Sequence, residues 1–260
     1  MQAFDYDSPN SIAEVTSLLA NKKEDARILA GGTDLIVQLR EGRRAANLVV
    51  DIKNIPELKK ISFDEKAGLV IGASASCSDI CNDPNVIKHF PGLVDGISLI
   101  GGVQIQSRAS VGGNLCNASP AADSIPALIV HEAVCNIVGP KGSRTMPVEE
   151  FCVAPGKNAL QAGEFLVSIS VPLPKENSGS NYLRFIPRNE MDIAEVGVGS
   201  SVVLDKDKKK FVSARIALGA VAPTPLLAIE AGNFLAGKDI TSENVKEAAR
   251  MAQSIAKRSC

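Results

Sequence analysis

Aromatic side chains are scarce in this chain of 260 residues: phenylalanine and tyrosine together make up 4% of it, and tryptophan is absent. That argues against a base-stacking platform or a carbohydrate groove. Basic excess is also missing. With 28 Lys and Arg against 29 Asp and Glu the net charge is -1, so nucleic acid is not the expected partner. No uninterrupted apolar run approaches the ~18–20 residues of a membrane span. The opening Met1-Gln2-Ala3-Phe4-Asp5-Tyr6-Asp7 has no basic segment leading into an apolar one, and the chain reads as soluble, unprocessed and cytoplasmic. Among Cys77, Cys81, Cys116, Cys135, Cys152 and Cys260 no pair has the C-x-x-C spacing of a zinc or iron centre. Cys77 and Cys81, one turn apart if helical, supply two ligands at most, so the expectation is reduced thiols in a cytosol and no metal on this chain. His89 and His131 stand in no H-E-x-x-H or H-x-H pattern and are expected at the surface or at helix ends.

What is present is a globular composition, 45% hydrophobic and 22% charged. A strand at Phe4–Tyr6 is followed by a capping box, with the Ser11 hydroxyl and Glu14 carboxylate satisfying opposite N–H groups ahead of Ile12, Val15, Leu18 and Leu19. Strands at Arg27–Ala30 and Leu48–Ile52, with a short helix over Leu35–Arg40, complete a small unit with parallel strands. After Pro56, Leu58–Phe63 and Leu69–Ile71 read as an antiparallel hairpin around Asp64–Gly68. Pro172, Pro174 and Lys175–Ser180 form the most linker-like stretch. Beyond it Ala194–Leu204 and Lys210–Ala220 flank a solvated turn. A last helix follows a Thr241 or Ser242 cap, with Val245, Ala248, Ala249, Ala252 and Ile255 turned inward. The expected division is 1–55, 56–174 and 175–260.

Two glycine loops carry the chemistry: Leu29-Ala30-Gly31-Gly32-Thr33-Asp34-Leu35 and Ala109-Ser110-Val111-Gly112-Gly113-Asn114. Glycine admits a ligand close to the main chain, so successive N–H groups can hold phosphate oxygens without a lysine. Neither loop is a P-loop, and no G-x-G-x-x-G occurs. Each pair taken singly is equally an ordinary turn or helix cap. Together, with Asn114, Asn117 and Asp123 as short polar groups, they suit a dinucleotide. Asp123 reads alternatively as a helix N-cap. At Gly113 a side chain is expected to occupy the space the pyrophosphate needs and to meet a positive-φ backbone.

Leu29–Arg40 and Ala109–Leu128, with the opening FDYDSPNSIAEV and RNEMDIAEV at Arg188–Val196, closely resemble the FAD-binding medium subunit of the molybdenum hydroxylases. The flavin subunits of xanthine, nicotinate and quinoline-type dehydrogenases and of aerobic carbon monoxide dehydrogenase belong to that family. The resemblance runs along essentially the whole chain. It implies an α+β protein with the FAD-binding superfold of the vanillyl-alcohol oxidase and molybdenum hydroxylase flavoproteins. Such a protein has two α/β lobes with FAD between them and a C-terminal three-stranded antiparallel sheet with helices.

Carried over residue by residue, Leu29, Ala30, Gly31, Gly32, Thr33, Asp34 and Leu35 resemble the first pyrophosphate loop, and Ser110, Gly112, Gly113 and Asn114 the second. Asn117 and Asp123 resemble flanking polar contacts; Ile100, Gly101 and Leu166 fall where the family places neighbours of the flavin ring. Ile100 and Leu166 read equally as core packing. Arg184 stands where many relatives have lysine, and reads equally as a surface cation. The resemblance further implies a molybdenum-cofactor large subunit, a small subunit with two 2Fe–2S clusters, a dimer of heterotrimers, and electron transfer through FAD to NAD+ or another acceptor. It calls for no catalytic acid or base on this chain. A self-contained flavin oxidase or reductase and a non-catalytic nucleotide-binding module are the alternative readings.

Overall fold

The computed structural model describes residues 2–22, 25–188 and 191–256. Asn189 and Glu190 of the RNEMDIAEV motif, and Cys260, lie outside them.

The first sheet is built from β1 (Asp5–Asp7), β2 (Ala26–Leu29) and β3 (Leu48–Asp51), all parallel in the order β1-β3-β2. Helix α1 (Ile12–Lys22) joins β1 to β2, and α2 (Leu35–Arg40) joins β2 to β3. The capping residues act as expected with one shift. Glu14 N–H donates to Ser11 Oγ at 3.2 Å, but the Glu14 carboxylate accepts from Asn10 N–H, one residue upstream of the cap, at 2.8 Å. Val15 and Leu19 then bury against Val50, Ile52, Ile55 and Leu58.

Leu58 is helical where the hydrophobic pattern predicts strand. Pro56 opens the short helix α3 (Pro56–Lys59), at the first helical position where its fixed φ is favourable and its missing N–H costs nothing. The hairpin proper is β4 (Ile61–Asp64) with β5 (Gly68–Gly72), its turn fixed by Asp64 Oδ1 accepting from the N–H groups of Lys66 and Ala67, each at 2.8 Å. Six short helices follow: α4 (Cys77–Asn82), α5 (Pro84–His89), α6 (Pro91–Ser98), α7 (Val103–Gln106), α8 (Val111–Asn117) and α9 (Ser124–Val130). Strands β6 (Val134–Gly139) and β7 (Gly142–Pro147), the small hairpin of β8 (Cys152–Ala154) with β9 (Lys157–Asn158), and β10 (Phe165–Val171) come next. The large sheet they form is antiparallel, in the order β4-β5-β10-β6-β7. Its core unites Leu69, Ile71 and Ile169 with Ile80, Leu93, Ile97, Leu115 and the Ile125, Ala127, Leu128, Ile129 and Val130 side chains of α9.

The third sheet contains β11 (Ser178–Phe185), β12 (Val196–Leu204) and β13 (Phe211–Gly219), antiparallel in that order. A two-residue fourth strand, β14 (Leu226–Leu227), joins the three expected. Ser178–Ser180 of the linker-like stretch already pair with Val203–Ser201. Helices α10 (Ile229–Leu235) and α11 (Ser242–Ile255) cover β13 from outside, burying Phe211, Ala231, Leu235, Ala248 and Ala252. Val245 and Ala249 point outward, and Met251 takes their place in the packed stripe.

Candidate functional site

Gly31 brings the first glycine loop against the second by close packing, and Gly112 seats the second on Ala73 at the end of β5. A Cβ on Gly31 would fall on the carbonyl oxygen of Arg108, just ahead of the second loop, and one on Gly112 would fall on the backbone of Ala73. Only glycine permits these approaches. Gly32 is the loop residue with left-handed backbone, at φ 79. Gly113 departs from its expectation, since it lies inside α8 and outside the positive-φ glycines. Its Cβ would meet nothing but Ser110 Oγ, at 2.8 Å, which leaves bare backbone facing open space. Ser110 caps α8, accepting from Gly113 N–H at 3.1 Å. Among the described residues the N–H groups of Gly32, Thr33, Asp34 and Gly112 have no hydrogen-bond acceptor.

Between the loops lies an open cleft. Ala30, Gly31, Gly32, Thr33, Asp34, Leu35, Ser110, Gly112, Gly113, Asn114 and Asn117 line its polar wall; Ile100 and Leu166, with Ala73, Leu160 and Phe165, line its apolar wall. Leu29, Gly101, Asp123 and Arg184 stand outside this lining. Leu29 packs instead beside Leu39 and Val49 under α2, and Gly101, at φ 59, turns the chain after Ile100. Four polar residues that the sequence does not single out also line the cleft: Arg27, Gln38, Arg44 and Asn158. For Arg27 a signal existed, because a cation in the strand leading into a glycine loop is placed to meet an anion.

Asp123 occupies the N-cap position of α9 without capping it. Its carboxylate instead accepts from the Tyr182 hydroxyl and from Arg184 Nη1, each at 2.8 Å, and the same guanidinium nitrogen donates to the Leu99 carbonyl at 3.2 Å. Burial pushes the Asp123 carboxyl up, against the opposing pull of the Tyr182 hydrogen bond and the Arg184 charge. This cluster joins β11 to the turn that carries Ile100. Cys116 also lines the cleft, and burial pushes its thiol up to about 12, so it presents no thiolate there. Among the described residues no group of His, Cys, Asp and Glu can hold a metal ion.

The chain matches the family model described as the FAD binding domain in molybdopterin dehydrogenase over residues 2–174, and the CO dehydrogenase flavoprotein C-terminal domain over 181–258. It belongs to the flavoprotein subunits of the molybdopterin dehydrogenases. The xanthine dehydrogenase FAD-binding subunit of Escherichia coli O157:H7 is 35% identical to it over 85% of this chain and 75% of the relative. The carbon monoxide dehydrogenase medium chain of Hydrogenophaga pseudoflava is 33% identical over 97% and 86%. Quinoline 2-oxidoreductase from Pseudomonas putida 86 superposes with a TM-score of 0.91 at 30% identity, covering 100% of this chain and 88% of that one. As a flavoprotein subunit of this family the chain is part of an oxidoreductase, and the cleft fits the family's cofactor. Bare backbone and unpartnered N–H groups suit a pyrophosphate, and the wall of Ile100, Phe165 and Leu166 suits a flat apolar ring system.

Proposed function

We propose that this flavoprotein subunit holds FAD in the cleft between its first two sheets and works as the electron outlet of a cytoplasmic molybdenum hydroxylase. In that complex a molybdenum-cofactor large subunit oxidises the substrate. A small subunit with two 2Fe–2S clusters relays the electrons, and NAD+ or another acceptor receives them. The observation that carries the reading is the meeting of the two loops. Gly31 packs the first loop against Arg108 and Ala109 of the second, Gly112 seats the second on Ala73, and Gly113 leaves the floor without a side chain. FAD supplies the one- and two-electron chemistry when bound. The residues of this chain bind and orient it: the loop N–H groups and the amides of Asn114 and Asn117 on the phosphates, Ile100 and Leu166 beside the ring. Asp123 and Arg184 act at one remove, by fixing the turn at Leu99. The same reading divides the chain into lobes 1–55, 56–174 and 175–260, with the assembly a dimer of heterotrimers.

Two phosphate-binding loops suit a dinucleotide, whereas FMN carries a single phosphate. Acid release of the cofactor followed by chromatography should therefore yield FAD; recovery of FMN alone would overturn the proposal.

A further inference from the structure

Asn114 and Asn117 line the polar wall, and each has its carbonyl oxygen already taken. Ser124 Oγ donates to Asn114 Oδ1 at 2.7 Å, and Gln38 Nε2 donates to Asn117 Oδ1 at 3.0 Å. Among the described residues neither asparagine Nδ2 donates to any protein group. An amide offers an acceptor at one end and two N–H donors at the other, and fixing the acceptor end fixes which end is left for a ligand. In this arrangement both amides have their N–H groups left free, the polarity an anion requires; turned over, each would set a carbonyl oxygen against it. The two partners come from different places. Ser124 is fully buried at the start of α9, and Gln38 reaches across from α2, on the other side of the cleft.

We propose that Gln38 and Ser124 are positioning residues for the dinucleotide's pyrophosphate, acting through the amides of Asn117 and Asn114. The inference rests on the FAD reading above and assigns within it two residues outside both glycine loops. Gln38 has a second consequence. Its bond to Asn117 spans two lobes, so the first lobe sets the donor on the second.

The test is equilibrium titration of the full chain, freed of flavin, with FAD and with riboflavin, which has the ring but no phosphate. Flavin fluorescence reports binding. Gln38→Met and Ser124→Ala should each weaken FAD by roughly tenfold, the scale of one misdirected hydrogen bond to a charged group, and leave riboflavin affinity unchanged. The double variant should lose more than either. A structural role alone would weaken both ligands together, and that outcome overturns the proposal. So does an unchanged preference for FAD over riboflavin in both single variants. If the unaltered chain itself shows no preference for FAD over riboflavin, the FAD reading fails first. Ser124→Ala removes one hydroxyl from a packed site and adds no bulk, so it keeps the test readable should Gln38→Met disturb α2.

Discussion

Gly31, Gly112 and Gly113 share one cleft wall and are glycine for different reasons. The first two are demanded by the protein itself, because a Cβ would run into the Arg108 carbonyl or the Ala73 backbone. At Gly113 the protein demands little, and the space belongs to a ligand. Gly113→Val should therefore abolish FAD binding while far-UV circular dichroism and the thermal midpoint stay near those of the unaltered chain. Valine is tolerated in a helix at least as well as glycine, and only the Ser110 hydroxyl must give way. Gly112→Val should instead lower the thermal midpoint, since forcing a side chain into packed backbone costs about 1–3 kcal/mol. Stoichiometric FAD on Gly113→Val would show the second loop to be only a turn.

Among the elements, those with local punctuation were legible: α1 from Ser11 and Glu14, the β4–β5 hairpin from Asp64–Gly68, and α11 from Thr241, whose Oγ1 accepts from Asn244 N–H at 3.2 Å. β11 was not, because Ser-Gly-Ser-Asn-Tyr-Leu-Arg-Phe lacks a strand's alternation. Its inward groups are satisfied from far along the chain, Ser180 Oγ by Gly92 N–H at 3.1 Å and Tyr182 N–H by Asp95 at 3.3 Å. The glycine and asparagine loops could be read because a cradle needs special residue types; Gln38 and Arg44 could not, because a polar residue on a short helix or turn gives no sign that it faces a cleft. Helix α9 ends on His131, at the helix end the sequence suggested, but half-buried. Its ring lies edge-on to Phe90 at 5.6 Å, and Nε2 has no partner among the described residues. A helix C-terminus favours a charged imidazole by ~0.3–1 kcal/mol, yet burial dominates and lowers the pKa from 6.5 to about 4. Between those values the unfolded chain binds more protons than the folded one. Stability should therefore be complete above about pH 6.5 and fall by roughly 2–3 kcal/mol as pH drops toward 4. His131→Gln should flatten that part of the plot of thermal midpoint against pH, and an unchanged slope would reject the assignment.

At the scale of the whole molecule α9 lies where the core of the large sheet meets the third sheet. One side packs into the large antiparallel sheet's core, and the other meets β12 so closely that a Cβ on Gly199 would lie 2.7 Å from the Pro126 carbonyl oxygen. The polar counterpart of that joint is the pair of Asp123 and Arg184, whose side chains are each only 9% exposed. A buried pair adds little net stability while intact but is expensive to break from one side, about 3–5 kcal/mol, because the remaining charge has lost its partner. Arg184→Met keeps the packed stem and removes the charge, so it should loosen the third sheet from the rest. The cost has a defined pH dependence. Burial already raises the Asp123 carboxyl above 3.8 with Arg184 in place, and without the guanidinium it rises further. A raised folded pKa means the penalty is absent while the carboxyl is protonated and grows as pH climbs through that value. Arg184→Met should therefore cost about 3 kcal/mol by denaturant unfolding at pH 8 and clearly less at pH 5. Adding Asp123→Asn should recover most of the loss at pH 8, since a neutral amide can still accept from Tyr182. An equal loss at both pH values would mean that Asp123 keeps its charge without Arg184, and that hydrophobic packing between α9 and β12 alone holds the third sheet in place.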